Sequence, residues 1–173
     1  MTKVKIYSAQ ACPYAQRTRL LLLEKGVDFE LIEIDLANKP DWFEDVSPYS
    51  KVPVVVDGDT RVYESSIINE YLDGCFPDNP LRPAGELAKA RMRYWVGVEE
   101  EQLFKSVRPA SLNLIMKEIF HAYSDQQMDD FLAHHPKQYA VSTLKKMFRA
   151  PADMDAVKKA KRALRAAFES MDR

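Results

Sequence analysis

The hydrophobic period of the first 76 residues keeps changing, and the order of the changes restricts the chain to few folds. Val4-Lys5-Ile6-Tyr7 alternates at period two and predicts a strand, broken by Ser8-Ala9-Gln10. Over residues 13–25 the period is helical: Pro13 suits a first helical position, where its missing N–H is no loss, and Gly26 stands where a left-handed cap belongs. Residues 29–34 predict a second strand. Between 35 and 48 the pattern loosens, with Pro40 and Pro48 as breakers and Asp41-Trp42-Phe43-Glu44 as at most one helical turn. Residues 52–56 read as a buried strand, and Asp57-Gly58 as a tight turn into Arg61-Val62-Tyr63-Glu64, which makes a hairpin. Ser65-Ser66 then offers N-caps to a helix with Ile67, Ile68, Tyr71 and Leu72 on one face, ending near Gly74. The order β-α-β then β-β-α predicts one small α/β domain over residues 1–76. Residues 76–83 carry three prolines in eight positions and mark a linker, placed at 77–85. Beyond it every pattern is helical: one helix over about 86–107, shorter ones after Pro109 and after His135-Pro136, and a basic, alanine-rich one over about 152–171. The second domain, 86–173, is therefore expected to be all-α.

Charge and composition exclude several classes of function. Lys plus Arg number 25 and Asp plus Glu 26, a formal charge of −1 with no block of either sign, so the electrostatic case for a nucleic-acid or anionic-membrane partner is missing. Apolar runs such as 20–23 fall far short of the roughly 20 residues that a membrane span needs. The opening Met1-Thr2-Lys3-Val4-Lys5 does not lead into a secretory signal, and a cytoplasmic location is expected. Two cysteines, Cys12 and Cys75, are too few for a disulfide framework. His121, His134 and His135 have no metal-ligand spacing, and no metal is expected.

Cys12 stands apart from Cys75. The predicted strand, the short break and Pro13 place it at the N-cap of the first helix, with its sulfur expected to face the free N–H groups of Tyr14 and Ala15. Those donors and the positive end of the helix dipole favour a thiolate over a thiol, and hence a nucleophile near neutral pH. Position alone fits a small buried thiol equally well. Cys75, at the end of the third helix, has no such activation and is expected to be inert or accessory. Arg17 and Arg19 read as surface or domain-interface residues.

The neighbours of Cys12 carry a resemblance. Cys12-Pro13-Tyr14-Ala15 resembles the glutaredoxin active-site motif with alanine in place of its second cysteine. Continued through Gln16-Arg17-Thr18-Arg19 to Glu24-Lys25-Gly26, the stretch is similar to the first helix of the glutathione transferase superfamily, on its cysteine-type side: the omega and lambda classes and the glutathionyl-hydroquinone reductases. The resemblance implies a thioredoxin-like fold for residues 1–76, glutathione as cosubstrate, Cys12 as the catalytic residue and a homodimer. With alanine at position 15 no intramolecular resolving disulfide can form, so a mixed disulfide on Cys12 has to be released by an external thiol.

The same resemblance distributes the glutathione site along the chain. Val52-Pro53, after Ser50-Lys51, is similar to the segment that carries a cis-proline in thioredoxin-like folds, where the N–H and C=O of Val52 would pair with the cysteinyl backbone of glutathione. Alone, Pro53 is an ordinary edge-strand proline. Glu64-Ser65 resembles the signature for the γ-glutamyl end: Ser65 for the carboxylate at a helix N-terminus, Glu64 for the ammonium. Lys39 resembles the lysine that reaches the glycyl carboxylate, and a solvated surface lysine fits as well. In the helical half, Tyr94 and Trp95 are candidates for the second-substrate pocket, or for aromatics of the helical core.

The resemblance covers about 85 residues and fades beyond them. Residues 111–150 look expanded, and no Gly-Asp or Ser-x-x-Asp capping motif opens a later buried helix, so the helical domain is expected to be incomplete. The leading expectation is thiol transfer or reductive deglutathionylation of an electrophilic or glutathionylated small molecule. Reductive dehalogenation or ether cleavage in aromatic catabolism is the second, and a non-catalytic binding module resembling stringent starvation protein A the third.

Overall fold

A computed structural model describes residues 3–36, 38–133 and 138–171 of the chain. His134, His135 and Pro136 lie outside them. The chain divides into two compact units, residues 1–92 and 93–173.

The first unit is built on a four-stranded sheet in the order β2-β1-β3-β4. Strand β1 (Val4–Ser8) pairs parallel with β2 (Phe29–Glu33) and antiparallel with β3 (Val54–Asp57), which turns back into β4 (Thr60–Tyr63). The parallel pair requires a crossover, and helix α1 (Pro13–Glu24) supplies it. Gly26, at φ 64°, ends that helix in the left-handed region that a residue without Cβ enters freely. Helix α3 (Ser65–Cys75) follows β4, and the short helix α2 (Phe43–Val46) lies in the connection between β2 and β3.

Alternation along β1 sorts the two faces of the sheet. Val4 and Ile6 join Leu22 of α1, Val55, Val62, and Ile68 and Leu72 of α3 in one buried cluster. Tyr7, on the opposite face, packs its ring 6.2 Å from that of Phe43 in α2 and 6.1 Å from Trp42. A hydrogen bond of 2.9 Å from the Thr18 hydroxyl to Asn69 ties α1 to α3.

Residues 77–85 are fastened to the first unit. The buried carboxylate of Asp73 in α3 accepts the Leu81 N–H at 2.9 Å, the Arg82 N–H at 3.3 Å and the Lys25 ammonium at 2.7 Å. Lys25 also donates to the carbonyl of Asn79 at 3.0 Å. Proline content predicts a linker here, and hydrogen bonds from Lys25 and to Asp73 tie this segment to α1 and α3.

Among its described residues, every secondary-structure element of the second unit is helical, the first of them starting at Glu86 in the first unit. Helix α4 (Glu86–Val98) runs without interruption through a π-helical turn (Glu99–Leu103), α5 (Phe104–Ser111), a second π-helical turn (Leu112–Met116) and α6 (Lys117–His121). The expected break at Pro109 does not occur. A proline inside a helix removes one hydrogen bond and crowds the carbonyl four residues back. Here π-helical turns on either side shift the register of those carbonyls, and Asn113 donates its side-chain amide to the Pro109 carbonyl at 2.9 Å. Helices α7 (Asp125–Ala133) and α8 (Val141–Arg149) close a second core around Phe120, Met128, Leu132 and Phe148. Helix α9 (Met154–Met171) packs along α5 and is capped by Asp153, whose carboxylate accepts the N–H groups of Asp155 and Ala156 at 3.1 and 2.9 Å. No helix among the described residues is long and apolar enough to cross a membrane.

Candidate active site at the start of the first helix

The sheet order brings the end of β1 beside the start of β3, which sets Cys12 against Val52. Cys12 is the N-cap of α1 in extended conformation, its carbonyl accepting the Gln16 N–H at 2.9 Å. Its sulfur does not cap the helix as the sequence suggested. Cys12 Sγ lies 3.9 Å from the carbonyl oxygen of Val52, and no side-chain cap bond is made. A thiol is a weak hydrogen-bonding group, and Sγ turns to the Val52 carbonyl rather than to the free N–H groups of the helix. The peptide Val52–Pro53 is cis. Cys12 is half-buried and Cys75 exposed, and both are free thiols.

Arg19 fixes the loop that presents Cys12. Its guanidinium donates to the Ser8 hydroxyl and to the carbonyls of Ala9 at 3.1 Å and Gln10 at 3.2 Å. Arg17, one helical turn after Tyr14, lies over that ring at 5.1 Å and donates from Nε to the Ser65 hydroxyl at 2.8 Å. Arg17 and Arg19, expected at the surface or at a domain interface, are half-buried and make these bonds within the first unit. Their partners lie up to 48 residues away in sequence, which no local pattern discloses.

Ser65 opens α3 and is buried. Because its oxygen accepts from Arg17, its own proton is available to another acceptor. Glu64 precedes it at φ 61° and ψ 118°, a conformation that side-chain-bearing residues adopt at a cost of about 1–3 kcal/mol. Its carboxylate reaches Lys51 at 3.7 Å across an exposed gap. Lys39 donates to the carbonyl of Ser50 at 2.7 Å, two residues before Val52. Cys12, Lys39, Val52, Pro53, Glu64 and Ser65 all fall in the first unit. Tyr94 and Trp95 fall in the second, where their rings meet edge to face at 5.3 Å and Tyr94 is mostly exposed.

Tyr71 and Cys75 form a separate group. The hydrogen bond with Cys75, burial, and a 3.0 Å bond from the Tyr71 hydroxyl to Asp57 together hold this phenol protonated well above its ordinary range. Among the described residues no group of three or more His, Cys, Asp or Glu side chains could hold a metal ion.

This sheet with a half-buried cysteine at the first helix N-cap, followed by an all-α unit, defines the class of thioredoxin-like folds extended by a helical domain. Residues 11–75 match the family model for the glutathione S-transferase N-terminal domain. A probable glutathione transferase of Aplysia californica is 46% identical over 86 residues, half of this chain and 94% of that protein. Glutathione S-transferase omega-2 of Rattus norvegicus is 43% identical over 91 residues, 52% of this chain but only 37% of that protein. Among solved structures, the beta-etherase LigF of Sphingobium sp. strain SYK-6 superposes with a TM-score of 0.71 at 26% identity, over 94% of this chain and 69% of that one. The chain belongs to the glutathione transferase family and is omega-like.

Proposed function

We propose that the chain is a cysteine-type transferase that performs glutathione-dependent thiol transfer or reductive deglutathionylation. The observation that supports this reading is the juxtaposition of Cys12 Sγ and the Val52 carbonyl at 3.9 Å, which sets the thiol beside the backbone segment that would pair with glutathione. Glutathione would lie along Val52 and Pro53. Lys39 takes its glycyl carboxylate, Ser65 its γ-glutamyl carboxylate through the hydroxyl proton that Arg17 leaves free, and Glu64 its ammonium. Tyr94 and Trp95 are assigned to the second substrate, and a cytoplasmic homodimer belongs to the same reading.

In the first step the Cys12 thiolate attacks the glutathionyl sulfur of a glutathionylated substrate. A Cys12–glutathione disulfide forms as the bond to the substrate sulfur breaks, and the substrate leaves as a thiolate that takes up a proton. A second glutathione, as thiolate, attacks the same glutathionyl sulfur, and glutathione disulfide leaves with Cys12 restored as thiolate. Ala15 cannot take that second role. Intact mass after incubation with oxidised glutathione, with peptide mapping, tests the reading. A single adduct on Cys12, reversed by dithiothreitol and lost in Cys12→Ala together with turnover, is expected. An adduct on Cys75 alone, or thiol-transferase activity retained in Cys12→Ala, overturns it.

The likeness to a beta-etherase over nearly the whole chain favours one second reading. There the thiolate of glutathione would displace an aryl oxide from an ether carbon, forming a C–S bond as the C–O bond breaks. Turnover of a β-aryl ether, with none of a glutathionylated disulfide, would select it.

A further inference from the structure

A single guanidinium gathers the turn between β1 and α1. Arg19 stands nearly two turns into α1, and helical side chains lean toward the N-terminus, so it reaches back over the turn that precedes its own helix. Ser8 offers it a hydroxyl, and Ala9 and Gln10 offer their carbonyls at 3.1 and 3.2 Å, so three successive residues accept from one side chain. A planar guanidinium meets several acceptors at once in a fixed fork, and the point charge of an ammonium does not.

The same peptides are held from their other side. Cys12 donates its N–H to the Ala9 carbonyl at 3.0 Å, so one oxygen joins Arg19 to the backbone of Cys12. The Ser8 carbonyl accepts the Ile34 N–H at 2.7 Å, and the Gln10 N–H goes to the Glu33 carboxylate, which ties the turn to the end of β2. Ser8 and Ala9 are buried, so the acceptors that Arg19 meets there are shielded from water. Arg19 makes no ion pair among the described residues. Its charge rests on neutral acceptors beside Cys12, where a negative sulfur has to form.

We propose that Arg19 is a positioning residue for the Cys12 thiolate. It holds the Ala9 carbonyl that fixes the Cys12 backbone, and its unpaired charge favours the negative sulfur. Its effect falls on the sulfur as nucleophile and as leaving group. The grip on glutathione is untouched, because Arg19 bonds to none of Lys39, Val52, Pro53, Glu64 and Ser65. The inference rests on the reading of Cys12 as the reactive thiol.

Two rates and one affinity test it, in a Cys75→Ser background so that Cys12 is the thiol observed. The rates are those of Cys12 alkylation by iodoacetamide and of its glutathionylation by oxidised glutathione, both followed by intact mass. The affinity is that of S-methylglutathione, measured by calorimetry. Arg19→Gln should slow both reactions about tenfold or more, the factor that a hydrogen bond to a charged group supplies, and leave the Kd of S-methylglutathione unchanged. Arg19→Lys keeps the charge and loses the fork, so its rates should fall between those of Arg19→Gln and the parent. A merely structural role would weaken affinity together with rate. Parent-like rates in Arg19→Lys or in Arg19→Gln, or a Kd that rises in step with the fall in rate, would overturn the proposal. The lysine variant decides it even where Arg19→Gln does not fold. Iodoacetamide carries no glutathione, so the two failures are distinct: alkylation that depends on Arg19 without any glutathione adduct on Cys12 supports the role of Arg19 and refutes thiol transfer.

Discussion

At the scale of single residues, Arg17 and Glu64 carry the sharpest consequences. Arg17 holds the Ser65 hydroxyl through Nε, a contact that a lysine ammonium on a flexible stem does not reproduce. Arg17→Ala is expected to raise KM for glutathione about tenfold, the worth of a charged hydrogen bond, with a smaller change in kcat, and Arg17→Lys should rescue little of it. Steady-state kinetics with glutathione as the varied substrate checks this; an unchanged KM refutes the role. Glu64 makes the opposite trade. Its φ of 61° suits glycine better than glutamate. Relief of about 1–3 kcal/mol of backbone strain exceeds the roughly 0.5–1 kcal/mol that a glycine costs in unfolded-chain entropy, so Glu64→Gly should stabilise the chain in urea denaturation while weakening glutathione binding measured by calorimetry. Loss of stability together with retained binding would show that the strained glutamate does not serve the ligand.

At the scale of elements, α1 and α3 are locked by a buried ion pair. The Lys25 ammonium and the Asp73 carboxylate are 0% and 3% exposed and 2.7 Å apart, so removal of either leaves a buried charge. Asp73→Ala is expected to cost about 3–5 kcal/mol. Burial alone would raise the Asp73 carboxyl, but hydrogen bonds from Leu81, Lys25 and Arg82 and the charge of Lys25 outweigh it and hold the group below its ordinary 3.8. A carboxylate depressed on folding contributes stability above its unfolded value, and that contribution is lost as pH falls through the folded value. The stability gap between the parent chain and Asp73→Ala should thus be constant above about pH 5 and shrink below pH 4. Denaturant unfolding across that range decides it, and a gap independent of pH would refute the assignment. These elements also show what the sequence could disclose. Strand alternation, Gly26 and the Asp57-Gly58 turn are local signals, and the sheet with its two helices follows from them. The contacts of Asp73 with Leu81 and of Arg17 with Ser65 depend on how those elements pack, and local periodicity is silent about that. Pro109 misled for the same reason: proline rules describe an α-helix, and this helix changes its winding on both sides of it.

At the scale of the whole molecule, two cores stand in two units, and each contains one tryptophan. Trp42 packs against Tyr7 and Phe43 near the candidate glutathione residues, and Trp95 lies against Tyr94 on α4. Single-tryptophan variants, Trp95→Phe and Trp42→Phe, make the fluorescence of each unit readable alone. A ligand that binds only the folded state stabilises it by RT ln(1 + [L]/Kd), about 2.7 kcal/mol at one hundred times Kd. Glutathione should shift the unfolding transition seen by Trp42 by that amount, because every residue assigned to it lies in the first unit. A Trp42 transition unmoved by saturating glutathione would remove the glutathione site from the first unit. If instead both tryptophans follow glutathione equally, the two cores unfold as one cooperative body, and binding in the first unit stabilises the second through that shared equilibrium.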